Sequence, residues 1–399
     1  MLIKPTVAAS SLAIVVAACA QLAGPPQAIP QAFAPNGAPN TSSGFKTLVE
    51  FNEVNGCNPI AGLVALKDTL YGTTTCGGRF AEGEVYSISS AGKFGIVYNF
   101  TNDARYAYAP VTVVGDTLYG AAVGGGKYHS GTVYSLGLNG KKNWVYSFRH
   151  ELFPYAGLTN VNGTLYGTTV EGGGSYCYGE QGCGSVFKIS SSGKEREIYG
   201  FKGGGSDGAQ PWAGLVNVNG TLYGTTSGGG SDNDGTVFSV TPSGVEHVLH
   251  SFGGPDGINP YGTLIYANGL LYGTTEEGGS YGWGTVYSIT TSGTEQVVYD
   301  FADTSQYDAS EPEAGLLYLN GELYGTTVEG GGTGCGGLGC GTVFEVSPSG
   351  TEHVLYSFQG GSDGKEPQSA LAAVNGVLYG TTPYGGTYYE YGTVFALKP

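Results

Sequence analysis

Leu222-Tyr223-Gly224-Thr225-Thr226 is one appearance of a signature that runs through the chain. Leu-Tyr-Gly returns with its tyrosine at Tyr71, Tyr119, Tyr166, Tyr223, Tyr272, Tyr324 and Tyr379, at intervals of 48, 47, 57, 49, 52 and 55 residues. Self-similarity at such a period marks a propeller or a solenoid. The copy around Tyr223 carries the signals of four strands. Ala213 to Val218 alternates apolar with small or polar residues and ends at Asn219-Gly220, the pair that best fits a type I′ hairpin turn. Thr221 to Thr226 is the return strand. A Gly-rich loop, Ser227 to Asp234, leads to Gly235 to Val240, and Pro242-Ser243-Gly244 turns into Glu246 to Phe252. Four antiparallel strands per repeat is the content of a propeller blade.

The other copies agree position by position. Asn-Gly recurs at Asn162-Gly163, Asn268-Gly269, Asn320-Gly321 and Asn375-Gly376, with Lys67-Asp68 and Gly115-Asp116 in the first two copies. The third strand opens at Gly83, Gly131, Gly184, Gly235, Gly284, Gly341 and Gly392, and the fourth closes at Phe100, Phe148, Phe201, Phe252, Phe301 and Phe358. Glycine inside Leu-Tyr-Gly weakens a strand, so its repetition implies close approach of a neighbouring sheet. Tyr and Phe at fixed strand positions are read as packing between blades.

The last copy stops after its third strand, Gly392 to Leu397, while an unmatched fourth strand, Phe45 to Phe51, precedes the first copy. A chain that starts on strand four and ends on strand three closes a ring by pairing its termini, whereas an open solenoid needs capping repeats. The expectation is an all-β, seven-bladed propeller over residues 45–399.

The composition agrees. Of 399 residues, 73 are Gly and 30 Tyr, and only 12% are charged, which suits short strands and tight turns rather than disorder. A net charge of -16 disfavours nucleic acid and anionic lipid surfaces as partners and leaves a neutral or cationic ligand open. At the N-terminus Lys4 precedes an apolar run, Val7 to Ala18, too short to span a bilayer. Val16-Ala17-Ala18-Cys19 resembles the bacterial lipobox, which implies lipidation of Cys19; ordinary signal cleavage is the alternative. Ala20, in place of Asp, favours an outer-membrane address. Residues 20–44, rich in Pro, Ala, Gln and Asn, read as a flexible tether.

The order Leu-Tyr-Gly, Gly-Gly, Gly-Thr-Val-Phe loosely resembles kelch repeats and is much more similar to the bacterial Gloeo/Verruco (GloVer) tandem repeat, across Phe45 to Pro399. That resemblance implies an exported, surface-anchored, propeller-like protein and no particular activity.

In such a blade the loop after strand two and the loop to the next blade share one face, and here that face receives everything variable. The two longest insertions carry Cys177/Cys183 and Cys335/Cys340, while Cys57 and Cys76 flank the first inner hairpin. Six such cysteines in an exported chain suggest three disulfides, since no His lies nearby and the spacings are not those of zinc sites. The same loops carry Tyr106, Tyr108, Tyr128, Tyr155, Tyr176, Tyr178, Trp212, Tyr261, Tyr281, Trp283, Tyr307, Tyr384, Tyr388, Tyr389 and Tyr391. Of these, Tyr178, Trp212, Tyr261, Tyr281, Trp283, Tyr384 and Tyr389 are the candidate ligand contacts, because rigid amphipathic rings suit sugar faces or peptide segments.

Asp207-Gly208, Asp256-Gly257 and Asp363-Gly364 near Pro read as turn chemistry. Glu171, Glu276, Glu277 and Glu329 follow strand two and can ring the face, and Asp232-Asn233-Asp234 is a calcium alternative without a matching EF-hand spacing. His247, His250 and His353 hold strand positions, and no nucleophile motif accompanies His129 or His150. The expected function is therefore non-catalytic binding of a polysaccharide or an envelope protein by a monomer without cofactor. A glycan hydrolase or lyase and an envelope scaffold are the alternatives, the first requiring carboxylates that converge on the central channel.

Overall fold

In a computed structural model, each Leu-Tyr-Gly run forms the second strand of a four-stranded antiparallel sheet, and seven such sheets make a seven-bladed β-propeller. The structure describes residues 44–399 apart from 151, 175–176, 178–181, 303–308 and 388–389. Cys19, the signal segment and nearly all of the tether lie outside the described residues.

Blade four shows the plan: Val216–Val218, Thr221–Thr226, Thr236–Val240 and Glu246–Ser251, in spatial order from axis to rim. Asn219 and Gly220 have φ of 52° and 90°, as a type I′ turn requires. The innermost ladder is shorter than the apolar alternation suggested. Ala213 to Leu215 continue past its end toward the axis, where the chain lines the central cavity instead of pairing.

The ring closes as expected. Phe45–Glu50 pairs antiparallel with Thr393–Leu397 and supplies the outer strand of blade seven, whose other strands are Ala372–Val374 and Val377–Thr382.

The glycine of Leu-Tyr-Gly has a different cause from the one expected. The atoms that crowd it belong to its own sheet. A Cβ on Gly325 would stand 2.4 Å from Cζ of Phe344, its partner on strand three. That aromatic residue lies flat across the glycine, and the closing phenylalanine of the preceding blade meets it edge-on. The pairs are Phe51–Tyr86, Phe100–Tyr134, Phe148–Phe187, Phe201–Phe238, Phe252–Tyr287, Phe301–Phe344 and Phe358–Phe395. Their centroids are 5.0 to 5.4 Å apart and their planes 61° to 77° apart. In each blade a register shift between strands three and four bends the outer strand near the junction.

The two threonines after Leu-Tyr-Gly have separate tasks. The first staples neighbouring blades: Thr168 Oγ1 donates to Ala213 O (2.8 Å) and Thr274 Oγ1 to Ala314 O (2.8 Å). The second pairs with the hydroxyl that opens strand three, as in Thr226–Thr236 (2.7 Å) and Thr327–Thr342 (2.8 Å).

Deleting Phe45 to Phe51 should unzip blade seven and lower the melting temperature sharply; an unchanged melt would show that closure does not depend on that strand. Gly325→Ala should cost about 1–3 kcal/mol by overpacking Phe344. Tyr287→Phe should leave stability equal or higher in the same denaturant titration, because the buried Tyr287 hydroxyl has no hydrogen-bond partner.

Candidate functional site

At the entry to every first strand one side chain per blade reaches the axis. The seven are Ile60, Tyr108, Tyr155, Trp212, Tyr261, Glu313 and Gln368, all half-buried around a cavity of about 380 Å³. The backbone aims them by a repeated device. Two residues upstream stands a non-glycine residue with left-handed backbone: Asn58, Tyr106, Phe153, Gln210, Asn259, Glu311 and Glu366, with φ between 48° and 57°. Pro or, once, Ala107 follows, and the next residue enters the mouth.

A left-handed conformation at a residue with a Cβ is sparsely populated, so its surroundings must hold it. Here the neighbouring blade does. The Gln210 N–H donates to Cys183 O (2.8 Å), Asn259 to Asp234 O (3.0 Å), Glu311 to Trp283 O (3.1 Å) and Glu366 to Cys340 O (2.8 Å). The proline then packs on the glycine that opens the preceding blade's third strand, where a Cβ on Gly235 would lie 2.6 Å from Cδ of Pro260.

The ring is chemically uneven, with four aromatics in succession followed by Glu313, Gln368 and Ile60. Tyr108, Tyr155, Trp212 and Tyr261 form a continuous crescent over four adjacent blades, with successive centroid distances of 5.2, 4.6 and 6.1 Å. Carboxyl groups lie beside the Tyr261 end of the crescent. Glu313 lines the cavity and shares a hydrogen bond with Glu276, whose Oε2 also accepts from Asn259 Nδ2 at 3.1 Å. Burial, then the charges of neighbouring glutamates, holds Glu313 well above the usual carboxylate range. Burial raises Glu276 as well. Glu311 is pushed up to about 8 by burial and the charges of Glu329, Glu276 and Glu277. Glu313 therefore favours its protonated form in the cavity wall, able to donate and accept.

The expected contacts are distributed unevenly. Trp212 and Tyr261 sit together in the crescent. Trp283 stands just before the third strand of blade five, packed against the core between blades five and six, and gives its carbonyl to Glu311. Tyr281 projects from the same loop, 57% exposed. Tyr384 O accepts from the Lys365 N–H at 3.1 Å, and Lys365 Nζ lies 6.0 Å from its ring centre. Tyr178 and Tyr389 lie outside the described residues. Tyr108, Tyr155 and Glu313 complete the site, and aligning the position after the loop proline across the repeats finds all three.

The cysteines pair as expected: Cys57–Cys76, Cys177–Cys183 and Cys335–Cys340. Three disulfides are consistent with an extracytoplasmic protein. No helix among the described residues is long and apolar enough to cross a membrane. The Asp-Gly turns are held locally, with Asp207 accepting from Tyr199 Oη (2.8 Å) and Asp363 from Tyr356 Oη (3.0 Å). In the acidic loop Asn233 Oδ1 accepts from the Gly229 N–H at 3.1 Å.

A closed propeller of four-stranded blades with a chemically varied mouth defines the class of protein. The chain matches the Gloeobacter/Verrucomicrobia repeat over residues 37–180 and 176–395, and it belongs to that family. No curated protein matches it. Among solved structures it is similar to a 6-phosphogluconolactonase candidate from Bacteroides uniformis. That match has 15% identity and a TM-score of 0.50, and covers 80% of this chain and 88% of the other. A luciferin-regenerating enzyme is similar at 14% identity, with a TM-score of 0.42 and 68% and 85% coverage. At these identities the likeness is one of fold.

The raised carboxyls set a pH dependence. A carboxyl whose folded pKa exceeds its unfolded value near 4.5 contributes stability below that value and loses it as pH rises through the folded pKa, about 8 for Glu311. The melting temperature should therefore fall between pH 5 and pH 8. Glu311→Gln and Glu313→Gln, which place the residues of Gln210 and Gln368 in sister positions, should each flatten that slope in thermal denaturation.

Proposed function

We propose that the protein binds a glycan chain at the mouth of the propeller, outside the cytoplasm and without altering it chemically. The aromatic crescent carries this reading. Four rings in contact, curved around one side of a cavity, offer flat apolar faces to the C–H faces of sugars. Glu313 and Gln368, the ring residues that follow Tyr261, offer donors and acceptors to hydroxyls, while the chain's net charge of -16 disfavours anionic glycans. Further ligand contacts are proposed for Tyr281 and Tyr384.

A second reading rests on the Glu276–Glu313 pair. A carboxyl that keeps its proton at neutral pH beside a cavity is suited to general-acid cleavage of a glycosidic bond.

The deciding experiment is retention of the protein on a panel of neutral polysaccharides, with the supernatants assayed for released sugar. Retention without release is expected. Trp212→Ala and Tyr155→Ala should each weaken retention about tenfold or more, corresponding to loss of about 1.4 kcal/mol. Release of sugar that stops in Glu313→Gln would establish the hydrolase instead, and neither retention nor release would overturn both readings.

For location, we propose that Cys19 is lipidated and anchors the chain to the outer membrane through residues 20–44. Cys19→Ser should move the protein from the membrane to the soluble fraction; unchanged fractionation would overturn the anchor.

A further inference from the structure

The junction between blades four and five departs from the others at one strand position. Two residues before the closing phenylalanine, Tyr98, Tyr146, Tyr199, Tyr299 and Tyr356 occupy five blades, and Val49 occupies blade seven. Blade four has His250 there. Where tyrosine is present its hydroxyl supplies a proton to nearby carboxylates: Tyr98 donates to Asp103 (2.9 Å), Tyr199 to Asp207 (2.8 Å) and Tyr146 to Glu195 of the next blade (2.7 Å).

His250 Nε2 lies 2.7 Å from Oδ2 of Asp256, and Glu295, the first residue of the next blade's outer strand, faces the same point. One ligand atom from each of His250, Asp256 and Glu295 falls within a common spread of 4.8 Å. The His250 and Asp256 side chains are 20% and 26% exposed, so the cluster is sheltered yet reachable. Glu295 Oε1 is sealed from solvent and has no hydrogen-bond partner, a property it shares with Oε1 of Glu246 and Glu352 at the same strand position. What sets this junction apart is the ring nitrogen, a metal-ligating atom where the sister blades carry a phenol. The histidine thus gathers one nitrogen and two carboxylates around a point that a cation would satisfy.

We propose that His250, Asp256 and Glu295 bind a divalent transition-metal ion of the Zn²⁺ type, which clasps blade four to blade five. Imidazole with carboxylate suits zinc and its neighbours, whereas calcium and magnesium take oxygen ligands. Zinc–ligand distances of about 2.0–2.2 Å put neighbouring ligand atoms roughly 3.3 Å apart, within reach of side-chain rotation from the present spread. The acid environment supports the assignment. Asp234, which feels the charges of Asp232 and Asp256, adds to the negative field there.

The site is separate from the channel mouth and stands or falls independently of the glycan reading. The test is titration of the purified, chelator-treated protein with ZnCl₂ by calorimetry and thermal shift. Saturation at an equimolar ratio with a raised melting temperature is expected. His250→Tyr, which restores the residue of the sister blades and so preserves the fold, and Glu295→Gln should each weaken binding by about tenfold or more. Co²⁺ in place of Zn²⁺ should give a visible absorption band that His250→Tyr removes. Absence of saturable binding, or an unchanged affinity in either variant, would overturn the site.

Discussion

The edge of a phenylalanine against the face of the next blade's aromatic ring, laid over a bare glycine, is the contact on which the ring depends. It recurs at every junction with centroids 5.0 to 5.4 Å apart. Edge-to-face geometry matches the quadrupoles of the two rings and adds to the apolar area they bury. Three parts of the repeat serve this one contact. The glycine on strand two leaves the space, the aromatic on strand three fills it, and the phenylalanine ending strand four covers it from the neighbouring sheet. Remove any one and the two sheets lose their common surface.

Once the junctions are fixed, the inner ends of the blades are fixed too, and the mouth follows. In every blade but the second, which has Ala121 there, a threonine hydroxyl ties the second strand to the next blade near the axis. Left-handed residues ahead of the prolines tie the loops across the same junctions. Each blade can then present any side chain at its ring position without altering the backbone that carries it. The result is a mouth with four aromatic positions beside one acid, one amide and one aliphatic, on a frame of nearly identical units.

Much of this was legible in the sequence because the repeats state it several times over. The Leu-Tyr-Gly period, the Asn-Gly turns and the displaced strand at Phe45 to Phe51 gave blade number, hairpins and closure, and the cysteine positions gave the disulfides. The glycine was harder to read. A gap in a strand says that something approaches, and only coordinates say that Phe344 and its counterparts approach from within the sheet. The mouth was the least legible. Its members share a position and no chemistry, so Ile60, Tyr155 and Glu313 look unrelated until the repeats are superposed. Trp212 and Tyr261 were visible as loop aromatics, but so was Trp283, and an exposed loop gives no sign that one of its rings turns inward against the core. Carboxyl groups such as Glu276 and Glu313 come together from different blades, which a linear reading does not display.

The pairing of Phe45–Glu50 with Thr393–Leu397 also fixes an order of events. The outermost strand of the last blade is made first and its partner last, so blade seven stays incomplete until the whole chain is present. Contacts of such long sequence separation form slowly, because closure entropy is spent before they are gained. Until then blade seven has an unpaired edge open to strands of other chains. A chain with this topology keeps that edge open until its last strand is in place, so during that interval the final blade is the part most in need of protection from aggregation.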